Sequence, residues 1–298
     1  MSGTTHTGFA ALVGWTNVGK STLLNHLVGE KVAAVADAPQ TTRNRIVGVR
    51  TIEERAQAIF VDTPGFHRPK HGLNRAMLRT AHRSLDGVDV VILVVDAARG
   101  IGDGEEQIAA LLRDREGTRI GVLNKVDLVH PKSNLLPMMA RMVDDWGLAE
   151  TIPLSARTGD GCAVLLARVV DRLPEAPFLF PVDSFTDQPE RALAAEWIRE
   201  KIIRKTTQEL PHATAVVVER WEERRTGVIA IDASVLVERE SQKAIVIGKG
   251  GGLLKQVGIE ARQEIEALLG VQVLLRLWVK VRPDWRDDEA TLAELGVR

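Results

Sequence analysis

The chain has 298 residues, 45% of them hydrophobic, and sets 39 basic against 40 acidic side chains for a formal net charge of -1. That length and apolar content fit two globular domains, and the balanced charge excludes a chain whose whole surface attracts nucleic acid, so any such binding must come from a local patch. The single cysteine, Cys162, excludes an internal disulfide and a cysteine-based metal cluster, and no apolar run approaches the ~18 residues of a spanning helix.

The opening MSGTTHTG lacks a basic segment followed by an apolar one, so a cytosolic chain without a signal peptide is expected. From Phe9 to about Leu173 the short runs FAALVGW, QAIFVDT, VVILVVDA, RIGVLNK and TIPLSA alternate with longer amphipathic stretches. Such alternation predicts an α/β domain, a mostly parallel sheet with helices on both faces. Pro174, Pro177 and Pro181 then interrupt any helix and read as a linker. Beyond them RALAAEWIREKIIRKTTQEL has helical spacing, ATAVVVERWEE and GVIAIDASVLVE read as strands, QKAIVIG and LLKQVGIEARQEIEALLG as helices, and VQVLLRLWVKV as a last strand. The predicted division is 8–175, a linker over 174–190, an αββααβ domain over 191–282, and a tail over 283–298 expected to be a surface appendage.

Four motifs carry chemistry in the first domain. Gly14-x-x-x-x-Gly19-Lys20-Ser21 matches the phosphate-binding loop, in which successive backbone N–H groups, including those of Asn17 and Val18, wrap phosphates, lysine reaches the terminal ones and the hydroxyl binds Mg²⁺; Thr22 extends the loop into its helix. In DTPG, Asp62 to Gly65, the carboxylate can hold Mg²⁺ through water and the Gly65 N–H can reach a γ-phosphate. Asn124-Lys125-Val126-Asp127 follows a strand; the Asp127 carboxylate can accept both hydrogen bonds from the N1–H and N2–H₂ edge of guanine, whereas adenine would leave it unpaired. Ser155, Ala156 and Arg157 close the next strand, where a backbone N–H could meet guanine O6.

In this order and spacing the four motifs are those of the TRAFAC-class GTPases, and QTTRNRIVG, Gln40 to Gly48, resembles the switch segment of the Era family. The resemblance implies GTP as substrate and GDP as product, with slow intrinsic hydrolysis. It makes Lys20, Thr42 and Gly65 the catalytic set and Ser21, Thr42 and Asp62 the Mg²⁺ set. Thr42, with Thr41 as the alternative, would coordinate Mg²⁺ only when the γ-phosphate is present, so residues 31–45 form a first switch and Gly65 begins a second. Where Ras-like proteins orient water with glutamine this chain has Phe66, which cannot do so. His67 and His71 lie nearby, but loop histidines carry no catalytic signal by themselves. Asn17 has two open roles: in related GTPases an asparagine here helps bind K⁺, and otherwise it stabilises the loop.

Gly248-Lys249-Gly250-Gly251 lies between two predicted helices and fits the GxxG loop of a KH domain, whose glycines let a phosphodiester backbone approach; αββααβ is the type II KH order. This half is not basic overall, yet Lys243, Lys249, Lys255 and Arg262 lie close to the loop with only Glu260 opposing them between Ser241 and Arg262. For Trp278 and Trp285, packing is expected in preference to base stacking.

The Era-family resemblance continues through VQVLLRLWVKVRPDWRDD and covers essentially residues 8–288. It implies the 3′ end of small-subunit (16S) ribosomal RNA and the 30S subunit as partners, a cytoplasmic protein in loose association with the inner membrane, and no stable oligomer; no amphipathic anchor in the sequence argues for the membrane. Rivals are a tRNA-modifying or two-G-domain GTPase, disfavoured by one phosphate loop and a KH-like tail, and a nucleotide sensor whose second domain binds protein.

Overall fold

The computed structural model describes residues 4–36, 41–53, 55–66, 72–115, 117–206 and 210–297. The chain forms two compact units: Met1–Ala33 with Thr42–Pro69 and Met77–Asp187, and Ala34–Thr41 with Lys70–Ala76 and Gln188–Arg298.

The first unit runs β1 (His6–Val13), α1 (Lys20–Val28), β2 (Ile46–Ile52), β3 (Ala56–Asp62), α2 (Gly72–Arg83, from Met77 onward), β4 (Val90–Asp96), α3 (Asp103–Arg113), β5 (Thr118–Asn124), α4 (Leu135–Asp144), β6 (Glu150–Pro153) and α5 (Cys162–Val170). Its sheet has the order β2-β3-β1-β4-β5-β6. All neighbours are parallel except β2, which is antiparallel to β3. The parallel sheet matches the sequence reading; the edge strand β2 was hidden because its first residues, IVG, were read as switch segment. Gly48 is its tight spot: a Cβ there would come within 2.5 Å of Val28 Cγ2, so α1 lies close on this strand.

The strand β4 shows why both faces must be covered. All seven of its residues are buried. Ile92 and Val94 pack with Leu23, Leu27, Leu165 and Val169 on one face, and Val91, Leu93 and Val95 with Ala81, Ile108, Leu112 and Met142 on the other. Each such side chain removed from water contributes roughly 1.5–3 kcal/mol, and alternation at period two divides that gain between two helical layers. The proline-rich stretch is held against the β2–β3 edge: buried Gln57 accepts from the N–H groups of Leu179 and Phe180 at 2.9 Å each and donates to the Phe180 carbonyl at 2.9 Å.

The second unit contains α6 (Glu190–Lys205), α7 (Leu210–Ala213), β7 (Ala215–Glu223), β8 (Ile229–Val237), α8 (Glu240–Ile247), α9 (Gly252–Leu269), β9 (Val273–Val281) and α10 (Glu289–Glu294). The sheet order is β7-β8-β9, antiparallel then parallel. Trp197, Ile198 and Ile202 of α6 and Val257, Ala261 and Ile265 of α9 pack on Ile231, Ala233 and Val235.

Two expectations are corrected here. The tail is more than an appendage: Trp285 is fully buried and its indole N–H donates to the Ala213 carbonyl at 3.1 Å, while Leu292 and Val297 are buried too. Trp278 is 44% exposed, with the Arg276 guanidinium 5.7 Å from the ring centroid. Exposure alternates along β9, so Leu274, Arg276, Trp278 and Lys280 face outward, as a sheet covered by helices on a single face requires.

Candidate functional site

The phosphate loop joins β1 to α1 through backbone that only certain residues tolerate. Gly14 has φ 155°, and a Cβ there would lie 2.3 Å from the Val94 carbonyl oxygen. Asn17 sits in the left-handed region at φ 62°, which asparagine accepts more readily than most. Gly19 is left-handed too and caps α1 without a side chain. The first N–H groups of α1, at Lys20, Ser21 and Thr22, therefore lie at a helix end where an anion is favoured.

Lys20 is buried within this loop, its ammonium donating to the carbonyls of Gly14 at 3.2 Å and Trp15 at 3.0 Å. Burial lowers its pKa to about 8, against the opposing pull of Asp62. Beside it Ser21 Oγ donates to Asp62 Oδ2 at 2.6 Å and lies 2.7 Å from Thr42 Oγ1, which donates to the same carboxylate at 3.2 Å. Burial pushes the Asp62 carboxyl up, opposed by the Lys20 ammonium and these hydroxyls. Asp62 Oδ1 is buried without a hydrogen-bond partner. Two hydroxyls and a carboxylate with an unspent oxygen make a hard-oxygen donor set, which fits Mg²⁺. Thr41 points elsewhere, its hydroxyl donating to the Ala36 carbonyl at 3.4 Å. Among the described residues no group of three or more His, Cys, Asp and Glu forms a further metal cluster.

The turn after Asp62 packs on the loop. Phe66 N–H donates to the Gly14 carbonyl at 3.2 Å, and a Cβ on Gly65 would come within 2.9 Å of Thr16 Cα. Phe66 is buried edge-on to His82, centroids 5.4 Å apart. Gln40, His67 and His71 lie outside the described residues.

At the far end of the sheet Asn124 ties three motifs together. Its Nδ2 donates to the Val18 carbonyl at 2.7 Å, and its Oδ1 accepts from the N–H groups of Lys125 at 2.8 Å and Ala156 at 2.9 Å. Lys125 is left-handed at φ 64° and bridges the Asn17 carbonyl and Asp96 Oδ2, both at 2.7 Å. Asp127 accepts from Arg157 at 2.6 Å. The Ser155 hydroxyl first, and Arg157 after it, hold its carboxyl below the usual range.

The Gly-rich loop of the second unit departs from ordinary backbone at three points: φ is 74° at Gly248, 59° at Gly250 and 77° at Gly251. A Cβ on Gly248 would lie 2.9 Å from the Leu253 nitrogen, whereas Gly250 and Gly251 open on free space. Lys249 and Lys255 are exposed. Lys243 lies 3.9 Å from Glu240 and Arg262 4.0 Å from Glu266, both weak exposed pairs. Glu260 is engaged by Lys205 at 2.7 Å and by Gln256 at 2.8 Å, which reduces its opposition to the nearby cations.

A family model described as 50S ribosome-binding GTPase matches residues 9–125, and a KH domain model matches residues 209–286. The GTPase Era of Heliobacterium modesticaldum is 48% identical over 97% of this chain and 96% of its own length. The chain belongs to the Era family of GTPases. A solved Era structure in complex with MgGDPNP and nucleotides 1506–1542 of 16S ribosomal RNA is 39% identical, covers 98% of this chain and 99% of that one, and superposes with a TM-score of 0.95. An Aquifex aeolicus Era variant bound to GDP·AlF4⁻ gives the same values.

Sequence reasoning passed over Asp96 in this Era-family chain. It is buried at the end of β4, accepts from Lys125 through Oδ2 and from the Ala98 N–H at 3.0 Å through Oδ1, and so holds Lys125 in place. An acidic residue closing the run VVILVVDA was the available signal, because ligands of such sheets lie beyond the carboxyl ends of the strands.

Proposed function

We propose that the chain is a GTP-operated RNA switch that binds the 3′ end of 16S ribosomal RNA and acts in assembly of the 30S subunit. The observation that carries it is the convergence of Ser21, Thr42 and Asp62 beside Lys20 and an open helix N-terminus, in one chain with an exposed GxxG loop. Ser21, Thr42 and Asp62 would hold Mg²⁺, which would supply positive charge where negative charge develops during phosphoryl transfer. Lys20 pairs with the terminal phosphates, the Gly65 N–H donates to the γ-phosphate, and Asp127 with the 155–157 backbone reads guanine. With Phe66 in place of glutamine, no side chain at that position orients water, consistent with a slow intrinsic rate. K⁺ beside Asn17 belongs to the same proposal and is read by comparing hydrolysis in KCl and NaCl; an equal rate in both salts removes it.

Gly248, Lys249, Gly250 and Gly251, flanked by Lys243, Lys255 and Arg262, clamp about four single-stranded nucleotides. The RNA assignment draws on the relative solved with 16S nucleotides and on the KH half of this chain. We assign the GTPase part to 8–175, the linker to 174–190, the KH part to 191–282 and the tail to 283–298. A cytoplasmic location with peripheral contact to the inner membrane follows the family; no helix among the described residues is long and apolar enough to cross a membrane.

The deciding experiment is binding of a fluorescent RNA matching the 16S 3′ end, with GDP and with a non-hydrolysable GTP analogue, at several salt concentrations. Tighter binding with the analogue and a log-log salt slope of roughly −2 to −3, for three or four phosphate contacts, is expected. Absence of binding with either nucleotide refutes the RNA reading and leaves a GTPase whose second domain binds protein.

A further inference from the structure

The backbone that leads into Thr42 is gripped by α6. Residues 34–36 and Thr41 precede most of the GTPase motifs in sequence, yet they are part of the second unit. Arg199, 1% exposed, donates through Nη2 to the Thr41 carbonyl, and Glu196 fixes the same guanidinium. Glu200, 0% exposed, accepts from the Val35 N–H at 3.2 Å. Arg204 donates from Nε to the Val35 carbonyl at 3.0 Å and pairs with Glu200 at 2.8 Å. Burying an arginine and a glutamate is costly unless their polar atoms find partners. Here those partners include the main chain at Val35 and Thr41, so the grip places the backbone at those two residues whatever their side chains.

The peptide after Thr41 carries Thr42. Because that peptide is planar, holding the Thr41 carbonyl fixes the orientation of the plane from which Thr42 departs. Thr42 Oγ1 in turn lies 2.7 Å from Ser21 Oγ and donates to Asp62 Oδ2 at 3.2 Å. We propose that Arg199, supported by Glu200 and Arg204, is a positioning residue for GTP: it holds the Thr41 carbonyl so that the Thr42 hydroxyl is presented beside Ser21 and Asp62. This rests on the reading that Thr42 serves GTP and not GDP.

The test uses the full chain with Mg²⁺ and compares Arg199→Ala, Arg199→Lys, Arg204→Ala and Thr42→Ala with the parent. Affinities for fluorescent GDP and a fluorescent non-hydrolysable GTP analogue are measured with the single-turnover hydrolysis rate. Arg199→Ala is expected to weaken the analogue and slow hydrolysis about tenfold while leaving GDP affinity alone, the loss of one charge-assisted hydrogen bond. Arg199→Lys should restore most of both, since it keeps a charged donor. Arg204 is half-exposed, so its alanine variant tests the grip without endangering the fold; about threefold in the same two quantities is expected. Equal weakening of GDP and analogue, or no change in the Arg199 and Arg204 variants while Thr42→Ala is impaired, overturns the inference alone. An unimpaired Thr42→Ala overturns the role of Thr42 and the inference together.

Discussion

Asp127 and Cys162 show how differently two side chains of the first unit are prepared. The Asp127 carboxyl, held down by Ser155 and Arg157, stays an acceptor, as the proposed reading of two guanine donors requires. Asp127→Asn replaces one acceptor with a donor, so GDP affinity is expected to fall by at least about 100-fold, read by titration of fluorescent GDP against the parent chain; unchanged affinity would remove guanine recognition from this residue. Cys162 is buried, and burial pushes its thiol from 9.0 up to about 11. A folded pKa above the unfolded one means that the thiol's contribution to stability is complete below about pH 9 and is lost as pH rises towards 11. At pH 8 the folded protein should react with a disulfide reagent about 100-fold more slowly than the unfolded chain, from thiolate fraction alone.

Among the elements, the Gly-rich loop separates two effects that its sequence merges. At Gly251 a side chain enters open space, while at Gly248 it meets the Leu253 backbone. Gly251→Asp is therefore expected to weaken RNA binding at least tenfold by placing a carboxylate where a phosphodiester must approach, at about 1 kcal/mol in stability for the left-handed backbone. Gly248→Asp should lose RNA binding and a further ~1–3 kcal/mol, measured by denaturant unfolding. Equal RNA affinity of Gly251→Asp and the parent would exclude the loop as the RNA site. The helices and strands themselves were legible because their periodicities are strong: β4 is apolar throughout, and α9 repeats buried Val257, Ala261 and Ile265 at helical spacing. Strand β2 was not, although Ile46, Val47 and Val49 are apolar and buried, since its start lies in the stretch QTTRNRIVG that read as a switch segment. Trp278 misled for a related reason: a strand position tells that alternate residues share a face, not which face is covered.

For the molecule as a whole, the expected dependence of RNA affinity on nucleotide requires that something sensitive to the γ-phosphate reaches the KH part. Residues 34–36 and 41, and residues 72–76, belong to the second unit, and the proposed switch would draw on them. In the latter, the Gly72 N–H donates to Asp287 Oδ1 at 2.6 Å and the Leu73 N–H to the Arg286 carbonyl at 2.8 Å, so the tail that had read as an appendage holds the start of α2. The sequence by itself determined the family and the proposed sites: the phosphate loop, the Asn124–Asp127 motif and the GxxG loop are short, local and limited to residue types that the proposed ligands demand. Tertiary structure alone decided which side chains brace those motifs and to which unit residues 34–36, 41 and 72–76 belong. Asp96 with Lys125, Asn124 with Val18 and Ala156, and Arg199 with Thr41 are pairs between 29 and 158 residues apart. Contacts at such separations arise from packing that no local pattern of residues encodes.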